Sequence, residues 1–246
     1  MGKAIYDEIY RNLRQRILDG SFAPQSYLPS EASLTQEFGC SRMTVRKAIS
    51  MLANEGMVTS IKGRGVRVIY LPAKQNAAES TFRVDGLTSF TESARSIGAV
   101  PSARLFLLDH VACTPALAHM SGFPEGEDLT RVNLVRSLNG QAMAIDRHLF
   151  LSKVVPGIDE KVAVSSLFRY CEHDLGLEIA VSNREVTVEE PTREDIRLLG
   201  ITEPLWLAVV RSRTYDSAGD QFEHVESKYL PNWFHFFDSA TRTPLP

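Results

Sequence analysis

Cysteine is scarce in this chain: three residues in 246, at positions 40, 113 and 171, odd in number and widely spaced. That excludes a disulfide framework and predicts a reduced, cytoplasmic protein. No apolar run approaches the roughly 20 residues that cross a bilayer, and residues 4–18 read as an amphipathic helix instead of a signal peptide, so no membrane partner is expected. Zinc-type spacings are missing. Cys171-Glu172-His173-Asp174 are neighbours on a predicted helix, where adjacent side chains point apart, so they read as a solvated helix end. There is no nucleotide-type Gly loop, and His110, His119, His148, His173, His224 and His235 fall in no motif with a catalytic partner. His224 beside Glu223 comes nearest, and it reads as a core or hydrogen-bonding residue. No enzyme, metal or cofactor is expected.

Charge is present but unevenly placed. The whole chain carries −3, whereas residues 1–74 carry +5 and the remainder −8. A basic first third on an acidic body fits a nucleic-acid-binding head joined to a body that does not bind nucleic acid. The length and the 43% hydrophobic content allow two packed domains.

The head can be read locally. Ser30 behind Pro29 is a good N-cap, Glu31 puts negative charge in the first turn, and Gly39 stops the helix. Ala32, Leu34 and Phe38 form its expected inward face. Ser41 caps the next helix, in which Val45, Ala48, Ile49 and Leu52 make one inward stripe. Thr44, Arg46 and Lys47 project away from that stripe and Arg42 sits in the first turn, where a cation opposes the helix dipole. Opposite a phosphate or a guanine edge the placement makes sense. Two short β-runs follow, 57–61 and 66–69, around Lys62-Gly63-Arg64-Gly65, whose glycines permit a positive-φ turn and whose cations can reach a groove. Two helices and a basic hairpin make a winged helix-turn-helix over 1–70.

Residues 71–80 are polar and Ala-rich and read as a linker to a second domain over 81–246. There, Ser89-Phe90-Thr91-Glu92 is a capping-box pattern for a helix ending near Ile97. A strand over 103–111, a short helix over 115–120, and strands 129–138 and 142–149 around Asn139-Gly140 come next. A helix over 165–175, a strand over 179–188, a helix over 192–199 capped by Thr192, and a hairpin of 205–215 with 222–230 complete the order. Long hairpins with helices between them predict an α+β domain, an antiparallel sheet covered on one face.

The motif Leu28-Pro29-Ser30-Glu31, then Ser41-Arg42-Met43-Thr44-Val45-Arg46, Glu55-Gly56 and Lys62-Gly63-Arg64-Gly65 resembles the GntR family of bacterial transcription regulators. The second part is similar to the ligand-sensing UTRA domain of the HutC subfamily, which shares the chorismate lyase fold. The residues carrying that likeness run from Gly86 to Glu92, with Asn139-Gly140, Met143-Ala144-Ile145-Asp146, Phe222-Glu223-His224, Ser227 and Tyr229. Together the two resemblances cover almost the whole chain.

The resemblance implies DNA contacts from Ser30, Ser41, Arg42, Thr44, Arg46, Lys62, Gly63, Arg64 and Gly65. It also implies an anionic effector held between the sheet and the helices. The backbone amides of Ser89, Phe90 and Thr91 open a helix, which suits an anion. Arg136, Ser166 and neighbouring Ser165 would contact a phosphate, while Asp146, Glu223 and Tyr229 would hydrogen-bond the polar body. The chain departs from the family at Leu134, where a second arginine is expected, and at Phe168, where a tyrosine is. That weakens the case for an amino-sugar phosphate and leaves a sugar phosphate of another kind, a phosphonate or a carboxylate. The expected protein is a homodimeric repressor on a palindromic double-stranded operator, released by its effector, with Trp233 to Phe237 serving either the dimer or the core. The rivals are an enzyme of chorismate lyase-like fold and a DNA-binding protein without a ligand. If the residues are merely structural, Ser89 is only a cap, and Asp146 and Glu223 are cross-strand partners.

Overall fold

In the computed structural model, which describes residues 5–70 and 87–236, the chain divides into two units. Residues 71–80, Gly86 and Phe237, which figure in the expectations above, lie outside the described residues.

The first unit packs α1 (Ile5–Leu18), α2 (Glu31–Phe38) and α3 (Arg42–Asn54) with a hairpin of β1 (Val58–Ile61) and β2 (Gly65–Val68). Ile9, Leu13 and Ile17 of α1 meet Leu34 of α2 and the Val45, Ala48, Ile49 and Leu52 stripe of α3 in one core. Ser30 Oγ accepts the Ser33 amide at 3.1 Å and Ser41 Oγ accepts the Thr44 amide at 3.2 Å, each satisfying an amide that the helix leaves open. Gly39 closes α2 in the left-handed region at φ +60°, which a side chain would strain. Ala32 is a correction: it is exposed, because on an eight-residue helix Leu34 and Phe38 alone reach the core.

The second unit is a six-stranded antiparallel sheet in the order β3-β4-β5-β8-β7-β6. Its strands are β3 (Pro101–Ala112), β4 (Asp128–Leu138), β5 (Gln141–Leu151), β6 (Ile179–Glu189), β7 (Leu207–Asp216) and β8 (Gln221–Tyr229). Helices cover both faces, not one. On one side α4 (Phe90–Ser96), α6 (Glu160–Ala163) and α7 (Leu167–Arg169) pack on the sheet; on the other lie α5 (Pro115–Ser121) and α8 (Arg193–Leu199). The reason is in the strands. Even-numbered Val132, Leu134 and Phe150 are fully buried, and so are odd-numbered Ile145 and Val209, with Val135 and Leu149 nearly so. A sheet apolar on both faces needs cover on both.

The expected helix over 165–175 is instead α7, capped by Ser166, running on into a π-helical turn at Tyr170–Asp174. The wider turn buries Cys171 against the sheet and lets the Tyr170 hydroxyl donate to the Pro156 carbonyl at 2.8 Å. The four-residue α6 carries too little pattern to be read from sequence. Trp233 and Phe234 pack beside Tyr229 and Ala94, so they serve the core. On the α8 face Asp195 is fully buried, bonded to Arg147 at 2.9 Å and Lys228 at 3.0 Å. Burial would raise its pKa, but the Thr192 amide and the two cations hold it at about 2.

Candidate functional site

In the second unit a cavity of about 110 Å³ opens to solvent on the sheet face that carries Val132, Leu134 and Phe150. Register builds its floor. Asp146 of β5 sits opposite Ser227 of β8, which sits opposite Val210 of β7; Glu223 of β8 faces Thr214 of β7; Arg184 of β6 faces Ser212. With a side-chain period of two, all of these rise from one face. The rim comes from the starts of α4 and α7.

All nine residues expected at an effector site line this cavity: Ser89, Phe90, Thr91, Arg136, Asp146, Ser165, Ser166, Glu223 and Tyr229. Several are already committed. Arg136 Nε donates to Asp146 Oδ2 at 2.7 Å, with both side chains more than nine-tenths buried, and Ser227 Oγ donates to Asp146 Oδ1 at 2.6 Å. Glu223 accepts from His148 Nδ1 at 2.9 Å and from Thr214 at 3.0 Å. The two carboxylates therefore orient donors more than they offer acceptors of their own. The Ser89 amide is also taken: it donates to Glu92 Oε2 at 2.8 Å in a complete capping box, so Phe90 and Thr91 supply the amides that open α4 at the rim. The Ser165 hydroxyl donates to the Val162 carbonyl at 2.7 Å, and Ser166 Oγ caps α7 by accepting the Arg169 amide.

Electrostatics follow from this wiring. Burial would raise the Asp146 pKa, but the nearby His148 ring, the Arg136 charge and the Ser227 hydrogen bond hold it well below the usual carboxylate range. Burial and the Asp146 charge push Tyr229 up, so its phenol stays protonated. Burial, with Glu223 nearby, pushes the Cys171 thiol up to about 12 and keeps it unreactive. The guanidinium of Arg136 lies 5.3 Å from the Phe90 ring centroid, tying the sheet floor to α4.

Sequence reasoning missed His148, Arg184 and the Ser182, Ser212 and Thr214 hydroxyls, which also line the cavity. The available signal was alternation: His148 is two residues along β5 from Asp146, hence on the same face. Conversely, His224 is adjacent to Glu223 on β8 and lies on the other face, opposite Leu149 and Arg213. Burial lowers its pKa, and Arg213 adds to the effect. Glu223 and His224 are thus no catalytic pair.

In the first unit Ser41, Arg42, Arg46, Lys62, Gly63, Arg64 and Gly65 are exposed and Thr44 is partly so. Arg46 Nε donates to both Glu31 carboxylate oxygens at 3.0 Å, which raises its pKa. Lys47 turns back instead, its ammonium 3.7 Å from the Tyr6 ring centroid on α1. The hairpin tip is tight: the Arg64 amide donates to the Ile61 carbonyl at 3.0 Å, with Gly63 at φ +75° and Gly65 at +107°. The Ser30 and Ser41 hydroxyls are occupied as caps, and the second also meets the Thr44 hydroxyl at 2.8 Å.

Among the described residues no helix is long and apolar enough to cross a membrane, and no group of acidic, His and Cys residues is placed to hold a metal ion.

Comparison with known proteins agrees in both units. Residues 5–68 match the family described as bacterial regulatory proteins, gntR family, and residues 96–235 match the UTRA domain. The HTH-type transcriptional regulator TreR of Bacillus subtilis is 30% identical over 95% of this chain and 96% of its own length. The HTH-type transcriptional repressor NagR of the same organism is 32% identical over 94% and 93%. The crystal structure of the possible transcriptional regulator YydK, also from Bacillus subtilis, aligns with a TM-score of 0.79 at 20% identity, covering 97% of this chain and all of that one, which shows a shared fold.

Proposed function

The chain belongs to the GntR family and is a transcription regulator with a helix-turn-helix head and an effector-binding UTRA domain, and from that premise we propose that it is a homodimeric repressor released from a palindromic operator by a small anionic metabolite. The head spans 1–70, the linker 71–80 and the sensing domain 81–246. Arg42, Thr44 and Arg46 reach base edges or adjacent phosphates from α3. Ser30 and Ser41 meet phosphates, and Lys62, Gly63, Arg64 and Gly65 enter the neighbouring groove. Two-fold symmetry of the protein requires two half-sites roughly one helical turn apart.

The observation carrying the effector half is the buried Arg136–Asp146 pair on the cavity floor, ringed by Ser89, Phe90, Thr91, Ser165 and Ser166. Arg136 has donors beyond the Nε bonded to Asp146, and through them it meets an anionic group entering the cavity. Tyr229, Asp146 and Glu223 position the polar body beside it. A sugar phosphate, phosphonate or carboxylate fits this set, and its binding favours an arrangement of heads that cannot fill both half-sites.

Thermal-shift screening against those three classes, followed by a gel shift on the protein's own promoter DNA, tests the reading. A compound that raises the melting temperature and releases the DNA is the expected result. Promoter binding that shows no salt dependence, or that no anion relieves, rejects it.

A further inference from the structure

One polar atom on the cavity floor, His148 Nε2, has no hydrogen-bond partner among the described residues. The His148 ring is 7% exposed, stacks on Phe150 and donates Nδ1–H to Glu223 Oε1 at 2.9 Å. A carboxylate only accepts, so Nδ1 carries a proton; Nε2 is then a lone pair on a neutral ring and an N–H on a cationic one. Nε2 is buried with no hydrogen-bond partner and lies 3.8 Å from Asp146 Oδ2. Facing a carboxylate oxygen, a lone pair is repelled and an N–H attracted. A buried polar atom left unpaired in this way calls for a role.

The charged and titratable groups around the ring are Asp146 on its own strand, Arg136 on β4, Glu223 and Tyr229 on β8, and Arg184 on β6, with Cys171 near Glu223. Arg136 and Arg184 oppose a second cation. Asp146 and Glu223, the groups His148 directly meets, favour it, and Arg136 is already neutralised by Asp146 at 2.7 Å. Burial lowers the His148 pKa, but the two carboxylates outweigh it and leave the value above the ordinary one.

Arg136 and His148 thus address the same oxygen, Asp146 Oδ2, one at bonding distance and one just outside it. Resting on the anion-binding reading above, we propose that His148 is a further cation of the effector site, held in reserve for Asp146: when an anionic effector draws Arg136 off Asp146, the His148 Nε2–H closes on Asp146 and keeps that carboxylate paired. Without it, engaging Arg136 would strand a buried charge. The effector is then a compound whose anionic group binds together with a protonated imidazole, and its affinity depends on pH.

Calorimetric titration of the full chain with sulfate, whose own charge is constant across the range, tests this. Wild-type affinity is expected to fall about tenfold between about pH 6 and pH 9, and His148→Gln to bind about tenfold more weakly at about pH 7 with no such dependence. Arg136→Ala should not bind. If His148→Gln matches the wild type in affinity and pH profile, the role of His148 is overturned while the anion site stands. If the wild type takes up no sulfate at any pH, the anion reading falls with it. Should His148→Gln fail to fold, nitrogen NMR of histidine-labelled wild type decides: a doubly protonated ring whose Nε2 signal moves with sulfate supports the proposal, and a neutral ring in the presence of sulfate overturns it.

Discussion

Arg136 and Asp146 lie on adjacent strands and bond at 2.7 Å, both side chains more than nine-tenths buried. A pair so enclosed is costly to break from one side, because the survivor keeps its charge without a partner. Asp146→Asn should therefore lower stability by about 3 kcal/mol, read as a shift in the urea midpoint at neutral pH.

The same pair sets an acid limit. The Asp146 pKa is depressed in the folded state, so its contribution is complete above the unfolded value of about 4 and is lost as the pH falls below it. Melting temperature measured from about pH 5 downward should drop in the wild type and drop less steeply in Asp146→Asn. Parallel curves would mean that Asp146 is not held ionised by its neighbours.

Arg136→Ala should give a protein that still occupies its operator but ignores its inducer. A reporter fused to the regulated promoter should stay off under conditions that induce the wild type. Normal induction would remove Arg136 from the effector site.

Arg46→Ala should weaken operator binding roughly 10- to 100-fold by gel shift and leave effector-induced thermal stabilisation unchanged. Glu31 grips the Arg46 Nε, and the terminal guanidinium nitrogens are the ones that can reach a base edge. Unchanged affinity would show that α3 does not read the operator.

Ser30→Ala and Ser41→Ala each remove a cap bond and should cost about 1 kcal/mol of stability in the head. Their effects on DNA affinity separate capping from phosphate contact: a Ser30 hydroxyl that only caps leaves affinity at the permissive temperature untouched.

What could be read from sequence was what is local or periodic. The Ser30, Ser41, Ser89 and Thr192 caps, the Gly39 and Gly200 stops and the Asn139-Gly140 turn each depend on a few neighbouring residues, and each is found. The Val45-to-Leu52 stripe follows from the helical period in the same way. The cavity residues needed the family resemblance, because register across β4, β5 and β8, not sequence proximity, joins Arg136 to Asp146 and Asp146 to Ser227. His148 escaped notice since a lone histidine in a strand has no pattern until its cross-strand partner Glu223, 75 residues away, is placed. The cover on both faces is signalled by adjacent apolar residues such as Leu134-Val135 of β4 and Leu149-Phe150 of β5, which point to opposite faces of the sheet. The π-helical turn at Tyr170–Asp174 had no comparable cue.

The central seam of the sheet joins β5 to β8, and the Ser227–Asp146 bond across it closes a loop of 81 residues. Contacts of such long range form late, since the entropy of closing the loop is lost before any contact repays it. A growing chain can complete the β4–β5 hairpin on its own, but it has no receptor until the β7–β8 hairpin leaves the ribosome and docks. Responsiveness is therefore acquired only once β8 has been made, and truncation before β7 should yield a polypeptide deaf to every metabolite.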